Sequence, residues 1–233
     1  MSLAERLKNY VADTHRDPWT TRQGRTVPST DDITLSNDAV KLEGTVLYAD
    51  LAHSTTMVDS EPDWFAAEIY KNYLYCAAHI IREFDGIITA YDGDRVMGVF
   101  IGDMKNTNAA KCALKINYTV KKILRPALAA KYPKSTFVLE QRVGIDTSNL
   151  FVARTGIRGS NDLVWVGNAA NNAAKMAALP TSYPSYISAA VYNRLDPESK
   201  YFDDITMTDN MWTNLGDSDL GYVIYGSTYS WVL

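Results

Sequence analysis

Apolar residues recur along this chain with two different periods, and the switching between them outlines the elements. Residues 44–51 (GTVLYADL) are rich in β-forming side chains and run into a helix through HSTT, where Ser and Thr favour a cap. Phe65, Ile69, Tyr73, Cys76 and Ile80 then repeat at helical spacing, which predicts a helix over 64–84. GIITAYDGDRVMGVFIG (86–102) reads as two strands around Asp92-Gly93, a strong hairpin signal. A second long helix is expected over 106–131, stopping near Pro133, followed by a strand pair in FVLEQRVGID (137–146) and NLFVART (149–155). The C-terminal YVIYGSTYSWVL alternates like a strand that completes the sheet and supports a dimer. Residues 1–43 are polar and punctuated by Pro and Gly after one short helix, so they read as an arm, with the compact domain over 44–233. The order βαββαβ predicts an α+β, ferredoxin-like fold: helices on one side of a mostly antiparallel sheet.

Composition narrows the class. At 233 residues, 46% hydrophobic and 21% charged, the chain has material for a full core. No run of eighteen apolar residues occurs and the first residues are charged, so a membrane span is not expected and a cytoplasmic location is. Cys76 and Cys112 lie in apolar, helical patterns, which argues for reduced thiols. The net charge of −4 gives no broad positive field, so duplex nucleic acid is a poor partner and a polyphosphate ligand needs bound cations. The basic residues Lys121, Lys122, Arg125, Lys131 and Lys134 read as a solvated face near the end of the second long helix.

Two acids stand out by position. Asp50 closes the first apolar strand and Asp94 stands at the hairpin of the next two; if the first and third strands are neighbours, both carboxylates meet at one sheet end. Oxygen ligands there suit Mg²⁺ or Mn²⁺. Singly, each aspartate has a plainer explanation as a cap or a turn residue.

Four segments together resemble the class III adenylate and guanylate cyclases. VLYADLAHST is similar to that family's first strand and phosphate loop, YDGDRVMGVF to its central hairpin, RVGIDTS to its R-x-G-I-x-x-G strand, and DLVWVGNAANNAAKM to its D-x-x-x-x-G-x-x-x-N-x-A-x-R segment. They occur in family order over residues 44–178. The resemblance implies a nucleotidyl cyclase that acts as a head-to-tail homodimer, with two active sites between the subunits and two divalent ions, Mg²⁺ or Mn²⁺, in each. It implies Asp50, Asp94 and the Leu51 backbone carbonyl as metal ligands, and Ala52, His53, Ser54 and Thr55 as the phosphate loop, with His53 where the family usually has glycine. The sister subunit is expected to add Asn171, which orients the ribose, and Lys175, which stands where the family has arginine.

The base pocket departs from the purine cyclases. Ala90 and Val164 occupy the two positions where adenylate cyclases carry a lysine and an aspartate or threonine, and neither makes a hydrogen bond. Tyr48, two strand positions before Asp50, offers a hydroxyl on the same face and leaves less depth for a purine. The chain as a whole resembles the stand-alone bacterial pyrimidine cyclases of anti-phage signalling, which implies cyclic UMP made from UTP and a downstream effector that needs no contact with the enzyme. Two alternatives stay open: an adenylate cyclase with an unusual pocket, or a degenerate, non-catalytic nucleotide-binding dimer module. The second draws on the missing phosphate lysine in TNLGDSDLGY (213–222).

Overall fold

The computed structural model describes residues 1–203, 205–217 and 220–233, so Ser218 and Asp219 of the TNLGDSDLGY segment lie outside the described residues. In chain order the elements are α1 (Leu3–Arg16), β1 (Thr20–Gln23), β2 (Asp38–Ala52), α2 (Ser54–Ser60), α3 (Asp63–Glu83), β3 (Ile87–Asp92), β4 (Arg95–Phe100) and α4 (Lys105–Thr119). A π-helical turn (Val120–Leu124) leads into α5 (Arg125–Lys131), β5 (Glu140–Ile157), β6 (Ser160–Val166), α6 (Asn168–Ala177), β7 (Ser185–Ser188), α7 (Ala189–Tyr192) and α8 (Pro197–Lys200). Strands β8 (Tyr201–Asp203), β9 (Thr208–Asn210), β10 (Thr213–Asp217) and β11 (Val223–Ser227) end the described order. Two compact units result: residues 1–43 with 149–167, and residues 44–148 with 168–233. The segment 149–167 thus groups with residues 1–43, which are distant from it in sequence.

The larger unit is built on the strand order β10-β11-β7-β5-β2-β4-β3. The last four strands of this order, β5-β2-β4-β3, form the expected βαββαβ core with α3 and α4, and β2–β4 and β3–β4 are antiparallel. Alternation sorts each strand's side chains by face. Leu47, Ala49 and Leu51 of β2, Val96 and Phe100 of β4, and Val143 and Ile145 of β5 enter one buried cluster with Phe65, Ile69, Tyr73 and Ile81 of α3 and Ala109, Ala113 and Ile116 of α4. The intervening residues Tyr48, Asp50, Arg95, Met97 and Arg142 therefore belong to the opposite face. Gly144 is required by close packing: a Cβ there would lie 2.1 Å from the Ala173 carbonyl oxygen and 2.6 Å from the Ala177 nitrogen, so a side chain would push α6 off β5.

Three elements differ from the sequence reading. The expected strand pair over 137–155 is one strand, β5, because the polar residues between its halves find partners: Thr45 Oγ1 donates to Thr147 Oγ1 at 3.1 Å, and Asn172 Nδ2 donates to Asp146 Oδ2 at 2.8 Å. The helix over 106–131 is interrupted by the π turn, next to Pro126, whose ring nitrogen cannot donate to the preceding turn. The C-terminal strand stops at Ser227, after which the chain is irregular and Trp231 N–H donates to the Leu114 carbonyl at 3.1 Å.

In the smaller unit, α1 starts in a reciprocal cap in which Glu5 N–H donates to Ser2 Oγ at 3.2 Å and Ser2 N–H to Glu5 Oε2 at 2.7 Å. Strand β1 pairs in parallel with β2 through Thr20–Asp38 to Gln23–Lys41, and Arg22 meets Asp38 at 2.6 Å. The β5–β6 hairpin turns between Ile157 and Ser160, with positive φ at Gly156 and Gly159. Trp19 packs edge-on against Phe151 with ring centroids 5.0 Å apart. Among the described residues no helix is long and apolar enough to cross a membrane, and both cysteines are free.

Candidate active site

Strand register brings the acids together. Asp50 of β2 pairs with Arg95 of β4, and Arg95 pairs with Asp92 of β3, so one row of the sheet end reads Asp50–Arg95–Asp92. Between β3 and β4, Gly93 with φ +62° makes the tight turn that sets Asp94 beside this row. An open cavity of about 380 Å³ collects Asp50, Leu51, Asp94 and the loop His53–Ser54–Thr55, with Asp92, Arg95 and Arg142 completing its wall. Ala52 is fully buried and does not line it.

The loop conformation accounts for the residue types. His53 has φ +62°, a left-handed backbone that glycine adopts without strain and that other L-residues adopt at a penalty of about 1 kcal/mol. Its ring Nε2 lies 3.2 Å from Glu140 Oε2, an anchor that glycine lacks. The first intrahelical bond of α2 runs from Met57 N–H to the His53 carbonyl at 3.0 Å, so the amides of Ser54 and Thr55 precede the helical ladder at the cavity. The end of β2 is pinned from below by the buried Tyr73, whose hydroxyl donates to the Asp50 carbonyl at 3.3 Å.

The electrostatics favour a cation. Burial, and secondarily the Asp94 charge, push the Asp50 carboxyl up to about 6, although Arg142 and Arg95 pull the other way. A divalent ion would remove that penalty, and the donors here, two carboxylates and the Leu51 carbonyl, are the hard oxygens that Mg²⁺ and Mn²⁺ accept. Among the described residues no group of three or more His, Cys, Asp or Glu is gathered as a protein-only metal cage.

Arg142 was not singled out by the sequence beyond its place at the head of RVGIDTS. Its Nη2 stands 3.6 Å from Asp50 Oδ2, and its Nη1 donates to the Leu179 carbonyl at 2.8 Å, just past the end of α6. The one available signal was a charged residue inside an apolar strand on the face of Asp50. Arg95 was also missed; it pairs with Asp92 and its guanidinium carbon lies 5.9 Å from the centre of the Tyr48 ring.

The remaining candidates lie elsewhere. Tyr48 and Ala90 both pair with Met97, so they flank it two residues along the strands from the row of Asp50 and Asp92. Val164 is on β6 and 40% exposed. Asn171 and Lys175 are exposed one turn apart on α6, which buries Ala169, Ala170, Ala173, Met176 and Ala177, and they do not line the acid cavity of their own chain. Next to Asn171, Asn172 is held by Asp146, which also accepts from Ser188 Oγ.

Comparison with known proteins decides the family. The chain is 48% identical to a uridylate cyclase of Xanthomonas perforans over 233 residues, covering 99% of each, and 49% identical to a uridylate cyclase of Burkholderia cepacia, covering 100% of each. This chain belongs to the uridylate cyclase family. No protein-family model matches it. Its fold is that of the class III nucleotidyl cyclases: the crystal structure of the adenylyl cyclase CyaB from P. aeruginosa is similar with a TM-score of 0.68 at 21% identity, over 83% of this chain and 97% of that one. The guanylyl cyclase Cya2 aligns with a TM-score of 0.67 at 15% identity, over 82% and 94%. A third uridylate cyclase, from Rhodovulum sp., is 39% identical over 86% of this chain and 85% of its own. The uridylate cyclase family member described here is thus a class III nucleotidyl cyclase.

Proposed function

We propose that this enzyme converts UTP to 3′,5′-cyclic UMP and pyrophosphate, and that it serves as a second-messenger synthase in anti-phage defence. The observation that carries the reading is the meeting of Asp50 and Asp94 in one cavity beside the His53–Thr55 loop, in a chain whose full-length relatives are uridylate cyclases. The catalytic domain is assigned to residues 44–233 and the arm to 1–43, with a head-to-tail homodimer as the working form.

Asp50, Asp94 and the Leu51 carbonyl would hold divalent ions. Bound there, Mg²⁺ or Mn²⁺ supplies the charge that acidifies the ribose 3′-hydroxyl and offsets the negative charge on departing pyrophosphate. The Ser54 and Thr55 amides and the Arg142 guanidinium, all at the cavity wall, bind phosphate oxygens; Arg142 thereby supplies the cation that the C-terminal segment lacks. Arg142 also faces Asp50 and keeps its carboxylate oriented. From the partner subunit, Asn171 orients the ribose and Lys175 places positive charge beside the α-phosphate, a contribution of about 3 kcal/mol for groups of this kind. Tyr48, half-buried beside Met97 and beneath Arg95, bounds the base end and offers its hydroxyl to one edge of a pyrimidine. Support for pyrimidine choice comes from the apolar Ala90 in the same row, which gives a purine no hydrogen bond. The cyclic nucleotide would then act on a separate effector.

The test is direct. Purified protein is incubated with each of the four ribonucleoside triphosphates and Mn²⁺, and products are identified by mass spectrometry. Cyclic UMP as the dominant product is expected; cyclic AMP as the dominant product, or no cyclisation of any triphosphate, contradicts the reading.

A further inference from the structure

A second cavity, of about 220 Å³, lies beneath the π turn and is distinct in its lining from the one that holds the acids. Its residues include Lys121 and Arg125 from the turn and its continuation, Glu140 and Gln141 at the start of β5, and Ser182 and Thr228. The basic residues here were read from the sequence as a solvated face, but Lys121 and Arg125 are only partly exposed.

Gln141 is the feature that needs explaining. It is 2% exposed, yet among the described residues neither its side-chain oxygen nor its nitrogen has a hydrogen-bonding partner. A buried primary amide without partners is destabilising, because it has lost its water and gained nothing in return. Alternation puts Gln141 on the helix-facing side of β5 with Val143 and Ile145, where an apolar residue of the same size would pack without that penalty. The surrounding charge also lacks balance. Lys121 Nζ donates to the Thr228 carbonyl at 3.1 Å and Arg125 Nε to the Leu139 carbonyl at 2.8 Å, while Glu140, the one carboxylate in the lining among the described residues, stands 3.6 Å from Arg125 and is shared with His53. Burial first, and then the charges of Arg125 and Lys122, lower the Lys121 pKa. Two cations against one carboxylate leave room for a single negative charge. The π turn that shapes the wall is a rare conformation, frequently found at functional sites.

We propose that this cavity is a second binding site, for a small monoanion that also carries an imide or amide edge, and that the enzyme's own cyclic pyrimidine nucleotide is the ligand. Gln141 pairs its carbonyl and amino groups with the N–H and C=O of the pyrimidine edge, and Lys121 and Arg125 take the phosphodiester. The identity of the ligand rests on the uridylate cyclase reading; the site itself rests on Gln141 and the two cations.

Calorimetry on the full chain tests it. The active site is first filled with 3′-deoxy-UTP, which lacks the attacking hydroxyl, and cyclic UMP is then titrated into wild type, Gln141→Leu and Lys121→Met. One cyclic UMP per chain is expected, weakened about tenfold or more in both variants, with 3′-deoxy-UTP binding unchanged. Absence of binding, or equal binding in wild type and both variants, overturns the proposal. The two readings separate cleanly: failure of 3′-deoxy-UTP to bind counts against the active-site reading, whereas Gln141-dependent binding of cyclic UMP in the same experiment still upholds the second site.

Discussion

Asp50 is held where a carboxylate is least comfortable, on a half-buried strand position with a second acid beside it. Its raised pKa has a consequence for the metal-free protein. A carboxyl that ionises near 6 when folded and near 3.8 when unfolded binds its proton more tightly in the native state, so folding loses stability as pH rises between those values and the loss persists above them. Asp50→Asn should therefore be more stable than wild type at pH 8, with the difference shrinking toward zero as pH falls to about 4. Urea unfolding in the presence of a chelator checks this; a pH-independent difference would show that Asp50 is not under strain. At the same scale, Tyr48→Phe should relax the preference for UTP over the other triphosphates while stability changes by about 1 kcal/mol or less, read as product ratios and a denaturation midpoint. The meeting of the two acids was legible in the sequence because the strand order and the Asp92-Gly93 hairpin bring them to one sheet end. Arg142 and Arg95 were not, since a lone arginine in a strand gives no hint of the carbonyl or acid that holds it.

Among the elements, α6 depends on one missing methyl. Its backbone approaches β5 so closely that a Cβ on Gly144 would meet the Ala173 carbonyl oxygen at 2.1 Å. Gly144→Ala should destabilise the fold by roughly 1–3 kcal/mol and displace the helix that presents Asn171 and Lys175. The expected pattern is a loss of kcat larger than the change in KM, with the unfolding midpoint lowered; unchanged kcat would show that α6 does not need this seat. The glycine could be noticed in RVGI, but not the helix that requires it. Helices α3 and α4 were readable from their 3.6-residue period, whereas the continuity of β5 was hidden because Asp146 and Thr147 look like turn residues until Asn172, Ser188 and Thr45 are seen to satisfy them.

On the proposed reading, the reaction centre comes in two halves that one chain does not join: the acids lie in a cavity, and Asn171 and Lys175 are exposed on α6. The βαββαβ core was evident from the order of periodic segments, and the grouping of residues 149–167 with 1–43 was not, because it joins parts of the chain more than a hundred residues apart. Working across two subunits predicts that specific activity per chain rises with protein concentration and levels off once dimers dominate, which a dilution series with a sizing measurement would reveal. The most direct measurement mixes two inactive variants, Asp50→Asn and Asn171→Ala, and follows cyclic UMP formation. If each centre takes its acids from one subunit and its asparagine from the other, random exchange should restore about a quarter of wild-type activity, through the one intact site of each mixed dimer. No recovery after proven subunit exchange would contradict the shared-site account.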